Sequence, residues 1–249
     1  MITSVINQKG GTGKTTTAVN LASALVRKKK KVLVIDLDPQ GNLSYSLGIN
    51  DFENSISDAL LQKKKIQEIV VEREGIEIVP TDRRLSKLEF GTRNKISEYL
   101  LRDVLRKVKK YDYIIIDCPP SLSALTLNAL SASDNVVIPI QLDVFSIQGL
   151  EQIIETIDEV KGSFNKKLKV AGVLPVLVDG RKRLTVEIKE YVKGNFKVNM
   201  FKSEIRTNVK AAEAPSFGES VIEYSPSSNS AKDYMKFCGE YLKAVKKIS

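Results

Sequence analysis

The sequence predicts an α/β fold: a mostly parallel, twisted sheet with helices on both faces. Three observations predict it. Short β-branched runs alternate with stretches of helical spacing, the order that builds a parallel sheet. Several runs are apolar at successive positions, as strands covered on both faces are. A glycine-rich loop stands between the first run and the first helical stretch, in the region where open α/β sheets bind their ligands.

The elements follow in order. Ile2–Asn7 is a strand ended by Gly10, Gly11 and Gly13, and Thr15–Val26 is a helix with Val19, Ala22 and Val26 on one face. Lys31–Asp36, Ile76–Val79, Tyr113–Asp117, Asn135–Ile140 and Val170–Leu177 are further strands. Ser97–Val108, Ser123–Ala132, Ile147–Val160 and Leu184–Val192 are helices, and Ala231–Ile248 is an amphipathic one whose apolar stripe suits packing on the sheet. Asn42–Arg93 is less regular and more charged, which suits short helices over one sheet edge.

No repeat, low-complexity tract or Gly/Ser/Pro linker divides the chain, so residues 1–249 read as one domain. With 42% hydrophobic residues it can bury a sizeable core. The absence of histidine excludes Ser-His-Asp triads, histidine general bases and histidine-bound zinc. The two cysteines, Cys118 and Cys238, exclude a disulfide framework. No basic leader precedes a long apolar stretch, and no apolar run reaches the ~18 residues of a membrane helix. A reducing, cytoplasmic setting is expected. The balance of 39 Lys+Arg over 30 Asp+Glu gives a net charge of +9. It leaves nucleic acid and an anionic membrane surface open as partners.

The strongest motif is Lys9-Gly-Gly-Thr-Gly-Lys-Thr-Thr16, set between a strand and a helix as a phosphate loop requires. Gly10, Gly11, Thr12 and Gly13 let main-chain N–H groups approach phosphate closely. The helix N-terminus that follows favours anions. Lys14 can reach the β- and γ-phosphates of a nucleotide, the Thr15 hydroxyl can bind Mg²⁺, and Thr16 can contact the α-phosphate.

This motif resembles the deviant Walker A sequence of the ParA/MinD ATPases, P-loop NTPases that include the nitrogenase iron protein and the arsenite-pump ATPase. The resemblance continues through Val34–Asn42, Asp117–Ser121 and Asn208–Gly218. These blocks are similar to the ParA (Soj-like) chromosome and plasmid partition branch, in its short type without an N-terminal helix-turn-helix domain. The resemblance implies ATP and Mg²⁺ as cofactors and an ATP-dependent homodimer. It makes Lys9 the lysine that reaches the partner's nucleotide, and Asp38 the aspartate that orients or deprotonates the attacking water. Asp36 serves the Mg²⁺ shell or supports the loop. Asp117 ends a strand in the Walker B arrangement and holds Mg²⁺. Asn208 and Pro215 contact the adenine. Cys118 is a small packed residue and not a cluster ligand.

The same resemblance implies non-specific DNA binding, nucleoid association and a ParB-like partner that stimulates slow hydrolysis. The basic residues assigned to DNA are Arg181, Lys182, Arg183, Arg206 and Lys210, with Lys197 and Lys202 nearby. The partition branch often carries Arg where this chain has Thr207 and Lys210. The charge runs Arg27–Lys31 and Lys63–Lys65 read as solvated helix ends. The rival reading is a MinD-like membrane-cycling regulator of cell division, which needs the final amphipathic helix to bind lipid. No stable membrane association is expected.

Overall fold

The computed structural model describes residues 1–90, 97–179 and 183–248. The chain runs β1 (Ile2–Val5), α1 (Lys14–Arg27), β2 (Val32–Asp36), α2 (Asn42–Ser46), α3 (Ile56–Leu60), β3 (Val71–Arg73), β4 (Ile76–Val79), α4 (Arg84–Phe90) and α5 (Leu100–Leu105). It continues as β5 (Tyr113–Asp117), α6 (Ala124–Ala132), β6 (Asn135–Gln141), α7 (Val144–Ser163), β7 (Lys169–Val176), α8 (Arg183–Asn195), α9 (Val209–Glu213), α10 (Val221–Tyr224) and α11 (Asn229–Ile248). The strands form one sheet in the order β3-β4-β2-β5-β1-β6-β7. Every pairing is parallel except the edge hairpin β3–β4.

Alternation along each strand divides the core into two layers. Leu33, Ile35, Ile114, Ile116, Val136 and Ile138 face α3, α5, α6, α7 and α8. Val32, Val34, Ile115 and Val137 face α1, α2, α10 and α11. The apolar stripe of α11 is spent on this second layer, where Tyr234, Phe237, Tyr241 and Val245 are buried. Phe237 meets Phe201 edge to face at 5.0 Å, and the Tyr241 hydroxyl lies 2.6 Å from that of Thr3 in β1.

Several bounds differ from expectation for identifiable reasons. Helix α7 begins at Val144 because the Asp143 carboxylate accepts the Ser146 N–H at 2.9 Å and caps it. Helix α5 is shorter than the spacing suggests, since Ser97–Tyr99 form a turn. The three-residue strand β3 was not expected. It pairs through a turn at Glu74 and Gly75, both with positive φ, as tight hairpins require.

Candidate active site

The register of the sheet assembles the site. In it, Asp36 at the end of β2 pairs with Asp117 at the end of β5, and Val5 of β1 lies beside Asp117 on the other side. The loop between β1 and α1 therefore leaves the sheet next to both carboxylates. Gly11 and Gly13 adopt φ of +74° and +68°, a backbone that other residues resist. Gly13 thereby turns the loop directly into α1.

Lys14 is buried, with its Nζ 3.3 Å from the Lys9 carbonyl. Burial lowers its pKa against the opposing pull of Asp117 and Asp38. The Thr15 hydroxyl donates to Asp117 Oδ2 at 2.7 Å, while Asp117 Oδ1 is buried with no partner. Burial, then the neighbouring Asp36, holds the Asp117 carboxyl well above the usual carboxylate range. An orphaned carboxylate oxygen next to a threonine hydroxyl fits a divalent cation completed by water and phosphate oxygens. Among the described residues no cluster of three acidic or thiol side chains could hold a metal alone.

Asp36 is turned to another use. Its Oδ2 accepts the Ser44 N–H at 2.9 Å and the Ser44 hydroxyl at 2.7 Å, and Oδ1 accepts the Asp38 N–H at 3.3 Å. Burial raises its pKa to about 7 against those bonds. Of its two expected roles, these contacts match support of the loop into α2. Asp38 lines the cavity in front of the loop. Its Oδ1 accepts the Gln40 N–H at 3.0 Å, and Oδ2 has no partner among the described residues. Cys118 is fully buried beneath the site, as a packed residue is.

The cavity measures about 570 Å³. Gly10, Gly11, Gly13, Lys14, Thr15, Thr16 and Asp38 line one part, and Leu177 and Ile205–Val209 another. Asn208 is in this wall, with its Oδ1 committed to capping α9 through the Lys210 N–H at 2.8 Å. Its amide NH₂ is the group left for a base. Pro215 is not in the wall: it lies with Tyr45 and Gly48 on a separate depression. Lys9 and Thr12 are also outside it. The Thr12 hydroxyl donates to the Lys9 carbonyl, and Lys9 Nζ is ion-paired with Asp143 at 2.7 Å.

Of the residues assigned to DNA, Arg206 and Lys210 are the two whose side chains the structure describes. Arg181 and Lys182 lie outside the described residues, and Arg183 is described only as the start of α8. Arg206 lines the cavity and is ion-paired with Asp233 at 2.7 Å. Lys210 is paired with Glu213 at 2.8 Å. A lysine-rich surface lies elsewhere. Lys202, Lys236, Lys243 and Lys247 line a groove of about 740 Å³ beside α11, and Lys166 and Lys197 line an adjoining one. None of these six makes an ion pair among the described residues. Their signal in the sequence is the 7- and 4-residue spacing of Lys236, Lys243 and Lys247 on one helical face.

A family model described as an AAA domain matches residues 1–170. The chain is 42% identical over 245 residues to the chromosome partitioning protein ParA of Myxococcus xanthus, covering 96% of this chain and 87% of that protein. It is 41% identical to the sporulation initiation inhibitor protein Soj of Bacillus subtilis, covering 96% and 97%. A crystal structure described as cobyrinic acid a,c-diamide synthase of Mycobacterium smegmatis, with bound ATP analogue and magnesium, superposes with a TM-score of 0.88 at 31% identity. It covers 98% of this chain and 95% of that one.

Proposed function

The chain belongs to the ParA/Soj family of partition ATPases, and from that membership we propose that it is a Mg²⁺-dependent ATP switch for DNA segregation. The observation that carries this reading is the joining of Lys14, Thr15 and Asp117 at one cavity, with one carboxylate oxygen left unpartnered. Similarity over nearly the whole chain to a protein named for chromosome partitioning directs it to DNA rather than to a synthase reaction.

Loop N–H groups and Lys14 bind the phosphates and neutralise charge as the terminal phosphate departs. Thr15, oriented by Asp117, holds the cation, and Mg²⁺ when bound supplies further charge neutralisation on the phosphate oxygens. Asp38 Oδ2 orients the attacking water and takes its proton. Lys9 leaves Asp143 and reaches a partner protomer's nucleotide, which couples hydrolysis to a dimer. The dimer binds DNA non-specifically through the Lys202, Lys236, Lys243 and Lys247 groove and stays on the nucleoid. A ParB-like protein then stimulates slow hydrolysis and releases it. Membrane cycling is disfavoured because the apolar face of α11 is buried against the sheet.

The test is a titration of random-sequence duplex at several salt concentrations, with and without ATP. Affinity should rise with ATP and fall with salt at a log–log slope of about −0.9 per phosphate contacted. Replacing Lys236, Lys243 and Lys247 by Glu should weaken all sequences equally. Nucleotide-independent or salt-insensitive binding, or lipid binding in its place, overturns the reading.

A further inference from the structure

Arg206 is held more firmly than a surface cation needs to be. Its backbone N–H and Nε donate to Asp233 Oδ2 at 3.1 and 2.9 Å, and Nη2 donates to Oδ1 at 2.7 Å. Asp233 lies near the start of α11 and is 8% exposed. Three bonds to one buried carboxylate fix both the main chain and the plane of the guanidinium. They also cancel most of its charge towards a distant phosphate. A residue so neutralised is a poor contributor to non-specific DNA binding, which rests on unpaired cations. Yet the side chain is half-exposed, and Arg206 lines the same cavity as the phosphate loop.

Asn208 lies two residues further along and lines the same cavity as Arg206. Leu177 adds an apolar surface beside them. This part of the wall has little to offer a phosphate. A flat, neutralised guanidinium beside an amide and a leucine is instead suited to an aromatic ring, since guanidinium planes stack on π-faces.

We propose that Arg206, oriented by Asp233, is the nucleobase platform of this cavity, its guanidinium plane covering one face of the purine of the bound nucleotide. The proposal rests on the cavity being the ATP site. It moves Arg206 from the DNA surface to nucleotide recognition and makes Asp233 a positioning residue.

Calorimetric titration of ATP and of inorganic tripolyphosphate, each with Mg²⁺, tests it on wild type, Arg206→Ala and Arg206→Lys. Tripolyphosphate engages the phosphate loop but has no base to cover. Arg206→Ala should weaken ATP about tenfold and change tripolyphosphate by less than about twofold. Arg206→Lys keeps a cation for Asp233, and so the fold, but loses the plane. It should weaken ATP severalfold at an unchanged melting temperature, and it carries the test if the alanine variant does not fold. Unchanged ATP affinity in the lysine variant, or equal loss for ATP and tripolyphosphate, overturns the proposal. Wild type that binds neither ligand defeats the ATP reading itself, a result distinct from either of those.

Discussion

Lys14 and Asp117 are two buried, oppositely charged groups that do not neutralise each other directly. Burial lowers the first pKa and raises the second, so each is poised for a ligand that brings its own charge. Lys14→Ala should therefore abolish measurable ATP binding, a loss of at least about a hundredfold for one charge-assisted contact, read as the absence of an ATP-dependent thermal shift. Asp38→Ala should still bind ATP and dimerise but hydrolyse it about 10²- to 10⁴-fold more slowly. Sizing chromatography and phosphate release separate the two outcomes. A monomeric Asp38→Ala protein in ATP would make that residue structural. Lys14, Thr15 and Asp117 were legible in the sequence because phosphate chemistry fixes their types and spacing within short segments. Asp143 and Asp233 were not, because their partners Lys9 and Arg206 are 134 and 27 residues away. Only the folded chain brings an aspartate to each.

The least legible elements lie between α2 and α4. Strand β3 is short and exposed, and a β-pattern needs more residues than it has. A polar knot adds to the burial of Ile56, Ala59 and Leu60 in ordering this region. Ser55 caps α3 in a capping box with Asp58, Asp82 accepts both the Ser55 and Ser57 hydroxyls, and Arg84 bridges Asp58 and Asp82 at 2.6 Å each. The Arg84 hydrogen bond to Asp58 holds that carboxyl below its usual value of 3.8, and Asp82 is lowered by Arg84, Ser55 and Ser57 against its burial. Carboxyls depressed in the folded state stabilise it above their unfolded pKa. That contribution is lost as pH falls through their folded values. Arg84→Ala should cost about 1–2 kcal/mol at neutral pH, a modest figure because Arg84 is half-exposed, and should move the acid-unfolding midpoint to higher pH. Circular dichroism from pH 7 to pH 2 checks both. Identical acid limbs for variant and wild type would remove Arg84 from the account. The strands of the central sheet, by contrast, were legible nearly to the residue, since β2, β5 and β6 are unbroken apolar runs.

At the scale of the whole molecule, the lysine proposed to reach a partner is held within the protomer by Asp143. Lys9 must leave Asp143 before it can enter a second copy, and a pair this exposed is worth at most about 1 kcal/mol. Asp143→Ser retains an oxygen to cap α7 but frees Lys9. It should strengthen ATP-dependent dimerisation by up to about fivefold for each of the two lysines released, measured by analytical ultracentrifugation in ATP. Weaker dimerisation would mean that Asp143 serves the assembled state instead. The parallel sheet and its two helical layers were foreseeable from the alternation of patterns. This latch was not, because its two halves belong to segments that look unrelated until the sheet sets β1 beside β6.

That placement of β1 also governs how the protein comes into being. The strand that leads into the phosphate loop is made well before its neighbours in the sheet, β5 and β6, where Ile2 pairs with Ile114 and Thr3 with Asn135. Its Thr3 hydroxyl waits longer still, for Tyr241. The segment with the most chemistry is synthesised before either strand it pairs with. Contacts so remote in sequence make for slow folding and a long exposure of unpaired edges. A nascent chain has no finished seat for the phosphate loop until β5 and β6 have been made, so nucleotide capture reports that the central sheet has formed.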